Sequence, residues 1–163
     1  MKLLWAPWRV KFIRQKKQKT CIFCNKIRQK NDKKNLVVYR GKHNFVILNL
    51  YPYTNAHLMV VPNRHISDLE LLSKDELYEL FDLVCQMVKI LKKTYKIDGC
   101  NIGINLGKAA GAGVDEHLHV HIVPRWLGDT NFMPVVSNTK VISESLNETY
   151  KILKKEIKNF KLI

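Results

Sequence analysis

The chain has 163 residues, 46% of them hydrophobic, and its 28 Lys and Arg against 14 Asp and Glu give a formal net charge of +14. That length suits one domain with its own core, and that apolar share excludes a chain disordered by composition. No apolar run approaches the roughly 18 residues of a membrane-spanning helix, and the N-terminus Met1-Lys2-Leu3-Leu4-Trp5-Ala6-Pro7-Trp8-Arg9 does not read as a signal peptide, so a soluble, cytoplasmic protein is expected.

Residues 1–20 read as an arm that docks by its tryptophans. The basic residues cluster in 11–34 and again in 151–161. Such a field attracts nucleotides, nucleic acid or lipid head groups. Without interleaved aromatics or a nucleic-acid motif, a solvated lysine-rich surface is the plainer reading, and a nucleic-acid partner stays open on charge alone. Cys21-Ile22-Phe23-Cys24 follows. In a cytosolic chain a Cys-x-x-Cys is metal-binding or redox-active rather than a structural disulfide.

Three strands are expected at 36–39, 45–48 and 57–61, the last stopped by Pro62, with Gly41 in the first turn and 51–55 as the second loop. Residues 68–97 form the main helix. Ser67 with Glu70, and Ser73 with Glu76, both fit a capping box, so a short turn should precede the long helix. Leu77, Leu80, Phe81, Val84, Met87, Val88 and Leu91 recur at three- and four-residue steps, predicting one buried stripe. Cys85 on that helix and Cys100 beside the next strand read as core. Strands at 101–105 and 117–123 flank the small-residue loop 107–113. A polar-aromatic loop, 125–132, leads to a closing helix within 140–163, carried by Ile142, Leu146, Tyr150, Leu153, Ile157 and Phe160. No repeat or linker interrupts the chain, so 1–163 reads as a single α+β domain with a mostly antiparallel sheet.

Side chains alternate across a strand, so His117, His119 and His121 share one face of the last strand, and Leu118, Val120 and Ile122 share the core face. Imidazole can act as base, nucleophile or metal ligand near neutral pH. Gly111-Ala112-Gly113 lies just before, where backbone N–H groups can cradle an anion. Imidazole beside a phosphate cradle points to attack on phosphorus.

His117-Leu118-His119-Val120-His121-Ile122-Val123 resembles the signature of the histidine triad (HIT) nucleotide-binding family. The resemblance extends over Cys21-Ile22-Phe23-Cys24, Ala56-His57-Leu58-Met59-Val60-Val61-Pro62, Ala110-Gly111 and Pro124-Arg125. Leu4-Trp5-Ala6-Pro7-Trp8-Arg9, Asn105-Leu106-Gly107 and the segment from Arg125 to Phe132 are similar to the bacterial branch with diadenosine polyphosphate phosphorylase or hydrolase activity. The resemblance implies a five-stranded antiparallel sheet with one long and one C-terminal helix, in a homodimer. It implies an enzyme acting on an adenine nucleotide or a dinucleoside polyphosphate such as diadenosine tetraphosphate, with no organic cofactor. His119 would attack the α-phosphorus to give a nucleotidyl-histidine, released by water or by phosphate, with His121 assisting at the phosphate. Two other readings remain: a purine nucleoside phosphoramidase, and a nucleotide-binding or sensing module with little turnover.

By the same resemblance, Asn49 contacts the ribose, or else it is a turn asparagine. Asn105, Gly111, Ala112 and Gly113 face the phosphates. Trp126 covers the substrate, or else anchors the loop that follows it. His57 either buttresses the site or is an ordinary strand histidine. Many relatives carry a polar Gly-Gln-Ser-like run where this chain has Gly111-Ala112-Gly113-Val114, so the choice of acceptor is open. Cys21 and Cys24 supply two thiolates, and a tetrahedral structural zinc site needs two more ligands. His65 and His117 are the candidates, as the resemblance also implies. His43 reads as a surface histidine.

Overall fold

The computed structural model describes residues 20–129, 142–160 and 162. Of the expected elements, the arm at 1–20 up to residue 19 and the end of the loop at 125–132 from residue 130 lie outside them. Helix α1 (Ile22–Arg28) and the one-turn α2 (Asp32–Asn35) lead into strands β1 (Val37–Arg40), β2 (Asn44–Leu48) and β3 (Leu58–Pro62). The long helix α3 (Lys74–Tyr95) is followed by β4 (Gly99–Ile104), β5 (Val120–Arg125) and α4 (Leu146–Phe160). The five strands form one sheet in the order β1-β2-β3-β5-β4, every neighbouring pair antiparallel. Helix α3 packs on β2, β3 and β5, and α4 packs on β1 and α3.

β2 and β3 are buried on both faces, which fits their near-continuous apolar runs. Phe45, Leu48, Leu58, Leu80, Met87 and Ile122 centre the core. Each such side chain contributes about 1.5–3 kcal/mol by leaving water. The Ser73 capping box forms in both directions: Glu76 N–H donates to Ser73 Oγ at 3.3 Å, and Ser73 N–H to Glu76 Oε2 at 2.8 Å. The Ser67 box does not. The Ser67 hydroxyl bonds the Asp68 carboxylate instead, and the short turn before α3 is a 3-10 turn at Leu69–Leu71.

The buried stripe of α3 is rotated from the expected one. Leu80, Leu83, Val84, Met87, Ile90 and Leu91 are buried, whereas Leu77 and Phe81 are 40% and 43% exposed. Cys85 is exposed too and is not a core residue, whereas Cys100, half-buried on the edge strand β4, packs against the core. Leu36 is left-handed at φ 60 and caps α2, which delays β1 to Val37.

The histidine strand is shorter than expected at its start. It begins at Val120, which pairs with Val60 on β3. Continued, that register would set Val61 opposite His119 and Pro62, which has no N–H to donate, opposite Leu118; the Pro62 carbonyl accepts instead from the His117 ring at 2.9 Å. Leu118 N–H bonds Ile66 O beyond the end of β3. His117 to His119 therefore lie outside the ladder, held by the His117 ring and by the Leu118 N–H.

Candidate active site

The chain around β5 fixes the tautomer of each histidine. The Tyr53 backbone N–H donates to His57 Nδ1 at 3.1 Å, so the His57 proton sits on Nε2. That N–H lies 3.0 Å from His121 Nδ1 and donates to it. The neutral His121 ring must then carry its own proton on Nε2. His119 is set the other way: its Nδ1–H donates to the His117 carbonyl at 2.8 Å, leaving Nε2 with a bare lone pair. One ring thus presents a nucleophile and its neighbour a donor, 4.9 Å apart between centroids and near perpendicular at 74°. Burial holds all three rings neutral. It pushes His57 down to about 3 and His121 to about 4, and it lowers His119 as well.

His119 and His121 line a cleft of about 400 Å³ with Asn49, Asn105, Gly111 and Gly113. Ile22, Phe23, Ile47, Leu48 and Met59 give it apolar walls. The size and the apolar walls suit a mononucleotide unit. Asn49 Oδ1 accepts from Tyr51 N–H at 3.0 Å, and its amide nitrogen lies 3.3 Å from His57 Nδ1. It is therefore a turn residue that also reaches the cleft. Ala112 and Trp126 are not among the cleft's lining residues. The Trp126 indole N–H donates to Tyr95 O at 3.0 Å, anchoring the chain after β5 to the end of α3.

The loop before the histidines bends at Gly111, which has φ 83. The amides of Gly111 and Ala112 are spent inside the turn, on Lys108 O and Gly107 O. Gly113 and Val114 line the cleft, and their amides make no hydrogen bond among the described residues.

A second constellation abuts the first. Cys21, Cys24, His65 and His117 bring one ligand atom each to within 4.8 Å of one another, a group that can hold a metal ion. His117 Nδ1 lies 3.3 Å from Cys21 Sγ, 3.7 Å from Cys24 Sγ and 3.3 Å from His65 Nδ1, and Cys24 Sγ lies 3.4 Å from His65 Nδ1. Metal–sulfur bonds of about 2.3 Å and metal–nitrogen bonds of about 2.05 Å give tetrahedral edges of roughly 3.4–3.8 Å, so the four fit zinc. The His117 Nε2–H bond to Pro62 O leaves Nδ1 as the ligand atom, the outer contact that orients a metal-binding histidine. His117 is thereby turned away from His119 and His121, and no three-histidine metal site forms there.

Three contributors escaped the sequence reading. Phe23 packs against the His119 ring at 5.2 Å, Tyr53 stacks on His57 at 4.8 Å, and Arg64 anchors the loop of His65. Phe23 between two cysteines carried a signal, as an apolar residue in a metal knuckle. The Tyr53 contribution is a backbone N–H, which leaves no trace in residue type.

A model of the HIT domain matches residues 30–126. The AP-4-A phosphorylase of Mycobacterium tuberculosis is 40% identical over 161 residues, covering 94% of this chain and 83% of that protein. The asymmetrical bis(5'-nucleosyl)-tetraphosphatase of Schizosaccharomyces pombe is 38% identical over 93 residues, 57% of this chain and 50% of that protein. Among solved structures, a Zn-bound histidine triad family protein from Mycobacterium smegmatis matches with a TM-score of 0.69 and 26% identity, over 86% of this chain and 94% of that one.

Proposed function

The chain belongs to the HIT domain family, and on that premise we propose that it cleaves dinucleoside polyphosphates by nucleotidyl transfer through His119. The observation that carries this reading is the bare Nε2 of His119 in the cleft, next to a donor Nε2–H on His121. The Nε2 lone pair attacks the α-phosphorus. The bond from that phosphorus to the bridging oxygen breaks, and the remaining polyphosphate leaves with the electron pair. The His121 N–H and the Gly113 and Val114 amides stabilise the oxygens on which charge develops. In the second step an oxygen of water or phosphate attacks, the P–N bond breaks, and its pair returns to Nε2. Water gives the nucleoside monophosphate and phosphate gives the diphosphate.

Cys21, Cys24, His65 and His117 would hold a structural zinc ion, whose chemistry here is to cross-link α1 to the histidine segment. A cytoplasmic setting suits this thiol pair, since thiols stay reduced there. A homodimer belongs to the same reading, supported by Leu77, Tyr78 and Phe81 exposed on α3 and Ile102 exposed on the edge strand β4.

Product analysis on diadenosine tetraphosphate tests the proposal. Phosphate-dependent ATP and ADP identify a phosphorylase, and ATP and AMP a hydrolase. His119→Ala should lose turnover and the covalent adduct with thermal stability retained. An adduct that persists in that variant rules out His119 as the nucleophile.

A further inference from the structure

A second groove of about 400 Å³ shares Tyr53, Asn105 and His121 with the cleft and otherwise has no part in the chemistry above. The register sets Gly103 of β4 opposite His121 of β5, and Asn101 opposite Val123. Side chains alternate along a strand, so Asn101, Gly103 and Asn105 stand on the same face of the sheet as His121, Val123 and Arg125. All six line the groove, which therefore leads from His121 to Arg125. Four residues at about 3.4 Å each make that path roughly 13–14 Å long.

Gly103 is the unusual residue along it. Glycine weakens a strand interior, where it gives up conformational freedom and has no side chain to pack. Its φ is not in the left-handed region, and a Cβ there would meet no atom within 4 Å among the described residues. The fold itself thus gives no reason for a glycine. A glycine in such a place marks the close approach of another body to the backbone, and a body at Gly103 is also beside His121.

Arg125 ends the groove as a flat platform. Its Nε and Nη2 donate to the two Asp129 carboxylate oxygens at 2.6 and 2.9 Å, and its Nη1 donates to Asn101 Oδ1 at 3.0 Å. The guanidinium is held in one orientation through all three nitrogens, yet the side chain stays 44% exposed. Asp129 matches its charge, which makes it a poor seat for phosphate. A fixed, exposed guanidinium plane is a good surface on which to stack a flat ring.

We propose that this groove is the subsite for the leaving half of a dinucleoside polyphosphate, with the phosphate chain crossing Gly103 and the second base stacked on Arg125. This rests on the nucleotidyl-transfer reading given above. A side chain at position 103 would stand in the path of the phosphates beside His121, which accounts for the glycine. Asn101 gives its Oδ1 to Arg125 and keeps its Nδ2 N–H groups for a ribose hydroxyl between the two. Gly103, Asn101 and Arg125 select the leaving group and take no part in bond making.

The test compares kcat/KM of the full chain for diadenosine tetraphosphate and for adenosine tetraphosphate methylated on its last phosphate. The methyl ester keeps the phosphate chain and its charge and lacks only the second nucleoside. The wild type should prefer diadenosine tetraphosphate about tenfold, equivalent to about 1.4 kcal/mol. Arg125→Lys should bring that preference close to unity, a ratio within one variant that general damage to the site would not move. Gly103→Val should lower kcat/KM for both substrates about tenfold and leave the calorimetric affinity for AMP, which has no further phosphates, unchanged. Its melting temperature should match or exceed that of the wild type, because valine suits a strand. The inference is overturned if the wild type has no preference between the substrates, or if Arg125→Lys keeps it. It is also overturned if Gly103→Val cleaves both as the wild type does, or loses AMP affinity along with them. A change of oligomeric state in Gly103→Val, read by sedimentation, overturns it too, since the glycine would then serve contact with a second copy. Failure of the wild type to cleave either substrate overturns the nucleotidyl-transfer reading itself, a result distinct from the others.

Discussion

His57 is fully buried and hydrogen-bonded through both ring nitrogens, so it decides which nitrogen of His121 carries a proton. His57→Leu removes that donor and frees the His121 ring to present either nitrogen to the cleft. Losing one buried hydrogen bond, worth about 1–2 kcal/mol, should lower kcat about fivefold to thirtyfold with a smaller change in KM. A raised KM with unchanged kcat would count against the relay. The same residue makes stability depend on pH. Unfolded imidazole titrates near 6.5, whereas buried His57 takes up a proton only near 3. Between those values the unfolded chain binds more protons, so stability is full above pH 6.5 and falls as the pH drops below it. Denaturant titrations across that window should show a shallower decline for His57→Leu. Residue type alone leaves His57 open between buttress and ordinary strand histidine. The answer depends on Tyr53 N–H and on the register that sets Met59 opposite His121.

Arg64 and Glu76 join the loop after β3 to the start of α3. Arg64 Nε and Nη2 donate to the two Glu76 carboxylate oxygens at 2.9 and 2.8 Å, and Nη2 also reaches Leu71 O. The Arg64 hydrogen bonds, chiefly, and the Ser73 N–H hold the Glu76 carboxyl down at about 2. A depressed carboxyl stabilises the fold above its unfolded value near 4.5, and that contribution is lost as pH falls from there towards 2. Ser73→Ala removes one half of the cap and should cost about 1 kcal/mol, or about 2–4 °C in Tm for a chain of this length. Arg64→Met should also lower metal affinity, because His65 is the next residue, and a competition titration with a chromogenic chelator reads that directly. Unchanged affinity would mean that the loop holds His65 without this pair. At this scale the strands, the capped long helix and the closing helix were legible, because periodicity and capping are local properties. The start of β5 and the face of α3 were not. The first depends on Pro62 lying opposite Leu118, and the second on which side of the helix the sheet covers.

At the scale of the molecule, the metal group and the histidine cleft share a wall. Helix α1 begins between Cys21 and Cys24, carries Phe23 against His119, and lines the cleft through Ile22, Asn25 and Lys26. His117 belongs to the metal group, while its carbonyl accepts the His119 Nδ1–H that bares Nε2. The sequence motif made the three histidines look alike, and the fold separates them by turning the first towards the cysteines. Cross-linking α1 to this segment would therefore matter for the nucleotide through the wall and the His119 carbonyl acceptor, with no metal bond to substrate. Stripping zinc with a strong chelator, or replacing Cys24 by Ala, should lower the melting temperature by several degrees, as expected when metal binding is folding free energy. It should raise KM more than it lowers kcat, because the α1 wall loosens while the His57–His121 pair, which stands on β5 and on the loop before β3, keeps its bonds. Readdition of zinc should restore both values in the chelated wild type but not in the variant. If chelation abolished kcat at once with the melting temperature unmoved, the metal would sit in the chemistry itself, and the division of labour between His117 and His119 would have to be redrawn.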